Sequence, residues 1–543
     1  MKTACFIPFI YFFIAFTTFH YTLAQGHKTK HGTVDLPISC NPAAQQNFHT
    51  GLALMHHMMY EQAEHEFASV AKTATDCAMA HWGIAMSVIH PLWGERPSDA
   101  DLQKGQAAIK KAAQQKDLTA REKAYINAVA KFYENWENRS YADQLKAFEA
   151  GYKEVHEAFP DDVEAAAFYA LSQLATAPKN DQTFAKNRKA GEMLENLLAK
   201  APDHPGLFHY IIHAYDNPAL ASRAISVARE YDRIAPEVPH ALHMPSHIFI
   251  RLGQWPDAVD WNIRSAEAAL RQSSGEEVSM HYAHALDYMA YGYLQQGWDK
   301  KAQEVIAKMK KEQAYAPSFA TAYALAATPA RLSLETGNWE AAAALPVRAP
   351  ENFPWDKYPG AEAITHFAKG IGAARSGNVP VAEEAIADLK KLQESLTQKG
   401  DNYWAAQVEA QQKSVEAWLQ FQKGDQEKAL ATMREAADKE DALDKHPVTP
   451  GAVLPARELL GDMLLLVKKP AEAEKAYNAS LKISPNRYNS LYGAARAAEM
   501  AKEKQKAVDY YDKLLNTAAK ADSDRKSLQH AREYTRKNKK RAG

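Results

Sequence analysis

Five histidines stand in register along this 543-residue sequence. His209 and His243 are 34 residues apart, as are His213 and His247, and Pro202 and Pro236 repeat at the same interval. His240, His243 and His247 occupy i, i+3 and i+7, which is one face of a helix. His209, His213 and Asp216 hold the matching places in the preceding stretch, and His284, Asp287 and Tyr291 do so in the following one, after a ten-residue insertion. Imidazole and carboxylate suit zinc, copper or ferrous iron, and three or four convergent ligands with one open position is the form that catalytic sites take. The candidate metal ligands are therefore His209, His213, Asp216, His240, His243, His247, His284 and Asp287. Two other readings stay open. The same stripe serves a metal-free ligand groove, with Arg251 and Tyr291 lining it and Arg251 favouring an anion, or some of its histidines are structural. No His-Glu-x-x-His motif is present, so a metal site here has to be assembled from several helices.

The elements that must position these residues are helices. Apolar residues recur at helical spacing from about residue 44 onward, and strand-like alternation is nearly absent. Turns containing Gly253, Gly297, Gly337, Gly377 and Gly424 each end one periodic segment, and Ala258, Ala302, Ala342, Ala382 and Ala429 follow five residues later. Glycine permits the tight turn, and alanine lets two helices approach closely. Near the C-terminus, Ala507 and Tyr511 repeat Ala473 and Tyr477 after 34 residues.

This combination of period, turn glycine, packing alanine and terminal proline resembles the tetratricopeptide (TPR) repeat family over about residues 44–520. The resemblance implies an all-α, TPR-type α-solenoid, a right-handed superhelix of about ten to twelve helical hairpins whose first helices line a concave groove. It therefore places the histidine stripes of three adjacent units on one cavity. Segments such as Ala80–Met86, Pro239–His247 and Pro455–Gly461 also look like a group of exported bacterial TPR proteins, from which no activity carries over. His49-x-Gly51-x-Ala53 recurs as His81-x-Gly83-x-Ala85, and there the small residues point to close packing rather than to a site.

Outside the repeats, residues 1–24 read as a secretory signal: Lys2, an apolar run to Phe19, then small residues before Gln25. The organisation expected is a lead at 25–43, a solenoid segment with the histidine-lined groove at 44–345, a proline-rich break at 346–359, further repeats at 360–520 and a basic tail at 521–543. Export leaves two of the three cysteines, Cys40 and Cys77, and an even count in an oxidising compartment points to a disulfide. The expected location is the periplasm or outside the cell, of a bacterium as the resemblance implies, with no transmembrane span after cleavage. The 65 basic and 66 acidic residues give a net charge of −1 and no general pull towards polyanions, and with export this reads against nucleic acid. No Gly-x-Ser-x-Gly, phosphate-binding glycine loop or thiol redox motif occurs. The functional expectations are thus a scaffold that binds a protein, peptide or other extended partner in its groove, a metal-dependent hydrolase or oxidoreductase, or a binder of an anionic glycan.

Overall fold

Helix ends in this chain are written by a few residues. Thr119 and Glu122 form a reciprocal capping box, and the side chains of Ser140, Asp162 and Asp425 each accept a hydrogen bond from the first turn of the helix they open. The computed structural model describes residues 31–93, 95–178, 180–273, 277–312 and 314–539. The signal segment read at 1–24 and the end of the basic tail lie outside the described residues.

Helix follows helix from Pro42–His56 to Lys526–Lys539, and the only pairing of extended backbone among the described residues is an isolated bridge between Val278 and Tyr315. The fold is the all-α, TPR-type solenoid that the repeat predicts. Ala258, Ala302, Ala342, Ala382 and Ala429 are all fully buried between paired helices. Gly253 shows why glycine is needed at the turn: its φ is +65°, and a Cβ there would lie 2.3 Å from the Pro485 carbonyl oxygen. The proline-rich stretch at 346–359 does not divide the core, since Ala342, Phe353, Trp355 and Ala361 belong to one buried cluster.

That approach of Gly253 to Pro485 is one of several contacts by which the superhelix closes on itself. Trp255 donates its indole N–H to the Asn486 carbonyl at 3.0 Å, and the Asp522 carboxylate accepts the backbone N–H groups of Lys300 and Lys301 at 3.0 and 3.1 Å. Arg525, at the start of the basic tail, pairs with Asp299 at 2.6 Å. The part of the tail within the described residues, Lys526–Lys539, is a helix that caps the last repeat through Leu528 and Ala531.

The Cys40–Cys77 disulfide forms as expected and ties the lead to the first hairpin. Its sequence separation of 37 residues corresponds to roughly 4 kcal/mol of loop-closure entropy. The Cys40→Ser/Cys77→Ser variant should lose about that much in urea unfolding. Identical unfolding midpoints for parent and variant would show that the bridge constrains nothing.

Candidate metal centre

Seven histidines meet where three consecutive repeats present their inner helices. His209 and His213 come from Pro205–Tyr215, and His240, His243 and His247 come from the adjoining helices Pro239–His243 and Pro245–Arg251. His281 and His284 come from Met280–Gln295. Pro245 has no N–H for the carbonyl one turn back, so the helix breaks between His243 and His247. The imidazoles on either side of the break turn towards each other.

Two groups of three ring nitrogens result, one from His243, His247 and His284 and the other from His209, His213 and His240, each with its ligand atoms within 4.8 Å of one another. The expected convergence is present. Exposure differs from expectation, because these side chains do not line an open groove. His209, His243 and His247 are at most 1% exposed, and His240 and His284 only 7% and 6%. Burial is the largest influence on all five and lowers their proton affinity, and neighbouring imidazoles lower it further for His209, His240, His243 and His284. They are neutral at neutral pH, with one lone pair each.

The first group has its tautomers set from behind. Asn262 donates its amide N–H to the Ala258 carbonyl at 2.7 Å, which leaves Asn262 Oδ1 to accept from His243 Nδ1, also at 2.7 Å. His247 donates from Nδ1 to Asp216 Oδ2 at 2.9 Å. With both Nδ1 atoms acting as donors, the Nε2 lone pairs of His243 and His247 face each other across 3.0 Å. His284 stacks close by, its ring centroid 4.2 Å from that of His243. The Tyr288 hydroxyl lies 3.4 Å from His247 Nε2 and 3.4 Å from the Val448 carbonyl, and its single proton can serve only one of them.

Asp216 and Asp287, expected as ligands, sit outside both groups. Asp216 accepts from His247, from Arg251 Nε at 2.9 Å and from Lys445 Nζ at 2.6 Å. Burial alone would raise its carboxyl, but Lys445 and Arg251 outweigh burial and hold it well below the usual carboxylate range. Its oxygens are engaged by these three partners, and it holds the His247 ring in place. Asp287 pairs with Arg331 at 3.1 Å, both of them buried. Arg251 spends its charge on Asp216 and Asp444, and Tyr291 packs against Trp255 and under the guanidinium of Arg331. Tyr291 is thus taken up by packing, whereas Arg251 also lines a second cavity, of about 100 Å³, against residues 449–455.

Residues 444–452 of the chain itself cross the concave surface in front of the histidines. Lys445 reaches Asp216, Asp444 reaches Arg251, and Tyr323 and Arg331 bond the Gly451 carbonyl at 3.2 and 2.9 Å. A cavity of about 40 Å³ remains beside this segment, with His240, His281, His284 and Val448 in its wall.

A third group went unread in the sequence. Glu164 accepts from His56 at 2.7 Å and from His204 at 3.0 Å, while the other ring nitrogen of His56 meets the Tyr210 hydroxyl at 2.9 Å. Burial pushes Glu164 up, but His204 and His56 more than reverse this and hold it low. Its nitrogens are already spent, so this group is a buried hydrogen-bonded brace. The packing role expected around Gly51 and Gly83 is evident, since Phe67 lies against both.

The His243 and His209 groups together can hold transition-metal ions by residue type and spacing. No family model matches the chain, and no curated protein does. Among solved structures it is similar to the human IFIT1 dimer with m7Gppp-AAAA, at 13% identity over 82% of this chain and 90% of that one, with a TM-score of 0.39. It is similar also to an IFIT1 monomeric mutant with Gppp-AAAA, at 14% identity over 81% and 90%, with a TM-score of 0.40. The exclusion of nucleic acid drawn from charge and export is withdrawn, because these similar structures hold capped oligonucleotides. At this level of likeness no ligand transfers to the present chain. No helix among the described residues is long and apolar enough to cross a membrane.

Proposed function

We propose that this helical-repeat chain is a metalloprotein, with a transition-metal ion held by His243, His247 and His284. The observation that carries the reading is the pair of Nε2 lone pairs opposed at 3.0 Å, each fixed by a donor bond on the far side of its ring. Opposed lone pairs repel unless a cation stands between them. A shared proton would contribute about 1.5–3 kcal/mol as a charged hydrogen bond, and it would have to form in a buried site near Lys445 and Arg251. Coordination of a metal by several such ligands is worth roughly 10–16 kcal/mol, so the metal wins. Nitrogens bound at about 2.0–2.1 Å in a tetrahedral shell are about 3.3 Å apart, close to the separation here. Asn262 and Asp216 are the outer partners that a metal-binding histidine uses to fix its ring.

Three imidazoles leave a coordination position open, which makes a metal-dependent hydrolase or oxidoreductase the reaction class. The Cys40–Cys77 bridge supports export to an oxidising compartment, in keeping with the composition of residues 1–24.

Metal content and thermal stability test the reading together. The parent, purified without added chelator, should carry metal, and His243→Ala/His247→Ala should not. After stripping and reloading, only the parent should gain stability, by about 4 kcal/mol at a thousandfold excess over Kd. Equal metal in parent and variant, or a parent that takes up none, would sink the proposal.

A further inference from the structure

We infer that a second transition-metal ion sits beside the first, on His209, His213 and His240, and that the two form a paired metal centre. This inference rests on the first site and extends it. His209 donates from Nδ1 to the His56 carbonyl at 2.7 Å, which fixes its tautomer as Asn262 and Asp216 fix theirs in the first group. Its Nε2 is buried and has no hydrogen-bond partner among the described residues. Neither ring nitrogen of His240 has one either. A buried polar atom left unmade costs about 1–3 kcal/mol, and the unpaired lone pairs of His209 and His240, one from each ring, mark a ligand's place. His213 brings a ring nitrogen within reach of both.

The two groups share a wall. The rings of His240 and His243 are 5.8 Å apart, and those of His213 and His247 are 5.8 Å apart. The cavity of about 40 Å³ touches His240 of one group and His284 of the other, so a small ligand in it reaches both ions.

Carboxylates stand near both groups: Glu95 lines the same cavity as His240 and His284, and Asp216, behind His247, is balanced by Arg251 and Lys445. Imidazole sites of this kind take copper, zinc or iron, and copper serves as the probe because paired and isolated Cu(II) spins give different signals.

Anaerobic titration of the full chain with Cu(I) against a chromogenic chelator decides the matter. Two ions per chain are expected in the parent and one in His240→Ala. After oxidation in air, the spin signal of the parent should fall well below that of two isolated Cu(II) ions. One copper in the parent overturns the pair and leaves the first site standing, whereas none overturns both. Two in His240→Ala, or two full uncoupled spins, also overturn the pair. The parent's own stoichiometry decides even if the variant fails to fold.

Discussion

Replacing Arg487 by methionine is expected to destabilise the folded chain by about 3–5 kcal/mol, the cost of stranding buried charge. Arg487 is fully buried and binds Glu335 at 2.5 Å, Glu458 at 2.7 Å and the Tyr291 hydroxyl at 3.3 Å. It is the pin by which the C-terminal repeats close onto the central ones. Without its cation, two buried carboxylates face each other in one site. Burial, with Glu335 beside it, already pushes the Glu458 carboxyl up even though Arg487 opposes this. In the variant Glu458, no longer held down by Arg487, takes up a proton on folding, so the folded state binds more protons than the unfolded one. Stability then falls as pH rises through its raised value, and the deficit should be larger at pH 8 than at pH 5. Urea unfolding at the two pH values measures it. A loss below about 1 kcal/mol would mean that the pair is screened by water and does not hold the closure. Adding Glu335→Gln and Glu458→Gln to Arg487→Met should recover much of the loss, since the stranded charges are gone.

The sequence made local things legible. The 34-residue period, the turn glycines and the buried alanines specify hairpins, and a hairpin's own contacts are short-range. Register also told which faces of three helices share a surface, and His209, His213, His240, His243, His247 and His284 do meet there. Register does not tell what else arrives at that surface. Lys445 reaches Asp216 from 229 residues away, and no periodicity in either segment records the contact. For the same reason Asp216 and Asp287 read as ligands: their spacing was right, and only their distant partners, Lys445 and Arg331, decide otherwise. Asn262 was missed because it lies on the outer helix of its hairpin, where the histidine stripe gives no signal. His281 was missed because it stands three residues before His284, outside the repeated register, although an i, i+3 histidine pair was there to be noticed. Burial of the whole set follows from the superhelix closing and from residues 444–452 filling its concave side, neither of which is written within one repeat.

Asp216 joins these separate features, and its replacement should show the coupling. One carboxylate orients His247, neutralises Arg251 and anchors Lys445 of the crossing segment. Asp216→Asn keeps the shape but removes the charge. Two losses are expected. Metal affinity should fall about 10–100-fold, the usual effect of losing an outer partner of a ligand histidine. The metal-free protein should also be destabilised by about 3–5 kcal/mol, because Arg251 and Lys445 become buried cations with too few partners. The depressed carboxyl of Asp216 makes its contribution full above the unfolded value of about 3.9 and lost as pH falls through the folded one, so measurement at pH 7 captures all of it. Asp444→Asn is the control. Asp444 also pairs with Arg251, but its side chain is 25% exposed and it touches no histidine among the described residues, so solvent can replace it. That variant should keep its metal affinity and lose no more than about 1 kcal/mol. If Asp216→Asn behaved like Asp444→Asn, the carboxylate would be a bystander and the orientation of His247 would rest on packing alone. If it lost stability but not metal affinity, the crossing segment would depend on Asp216 and the metal centre would not. Only the double loss fits a carboxylate that holds the ligand and the segment in one geometry.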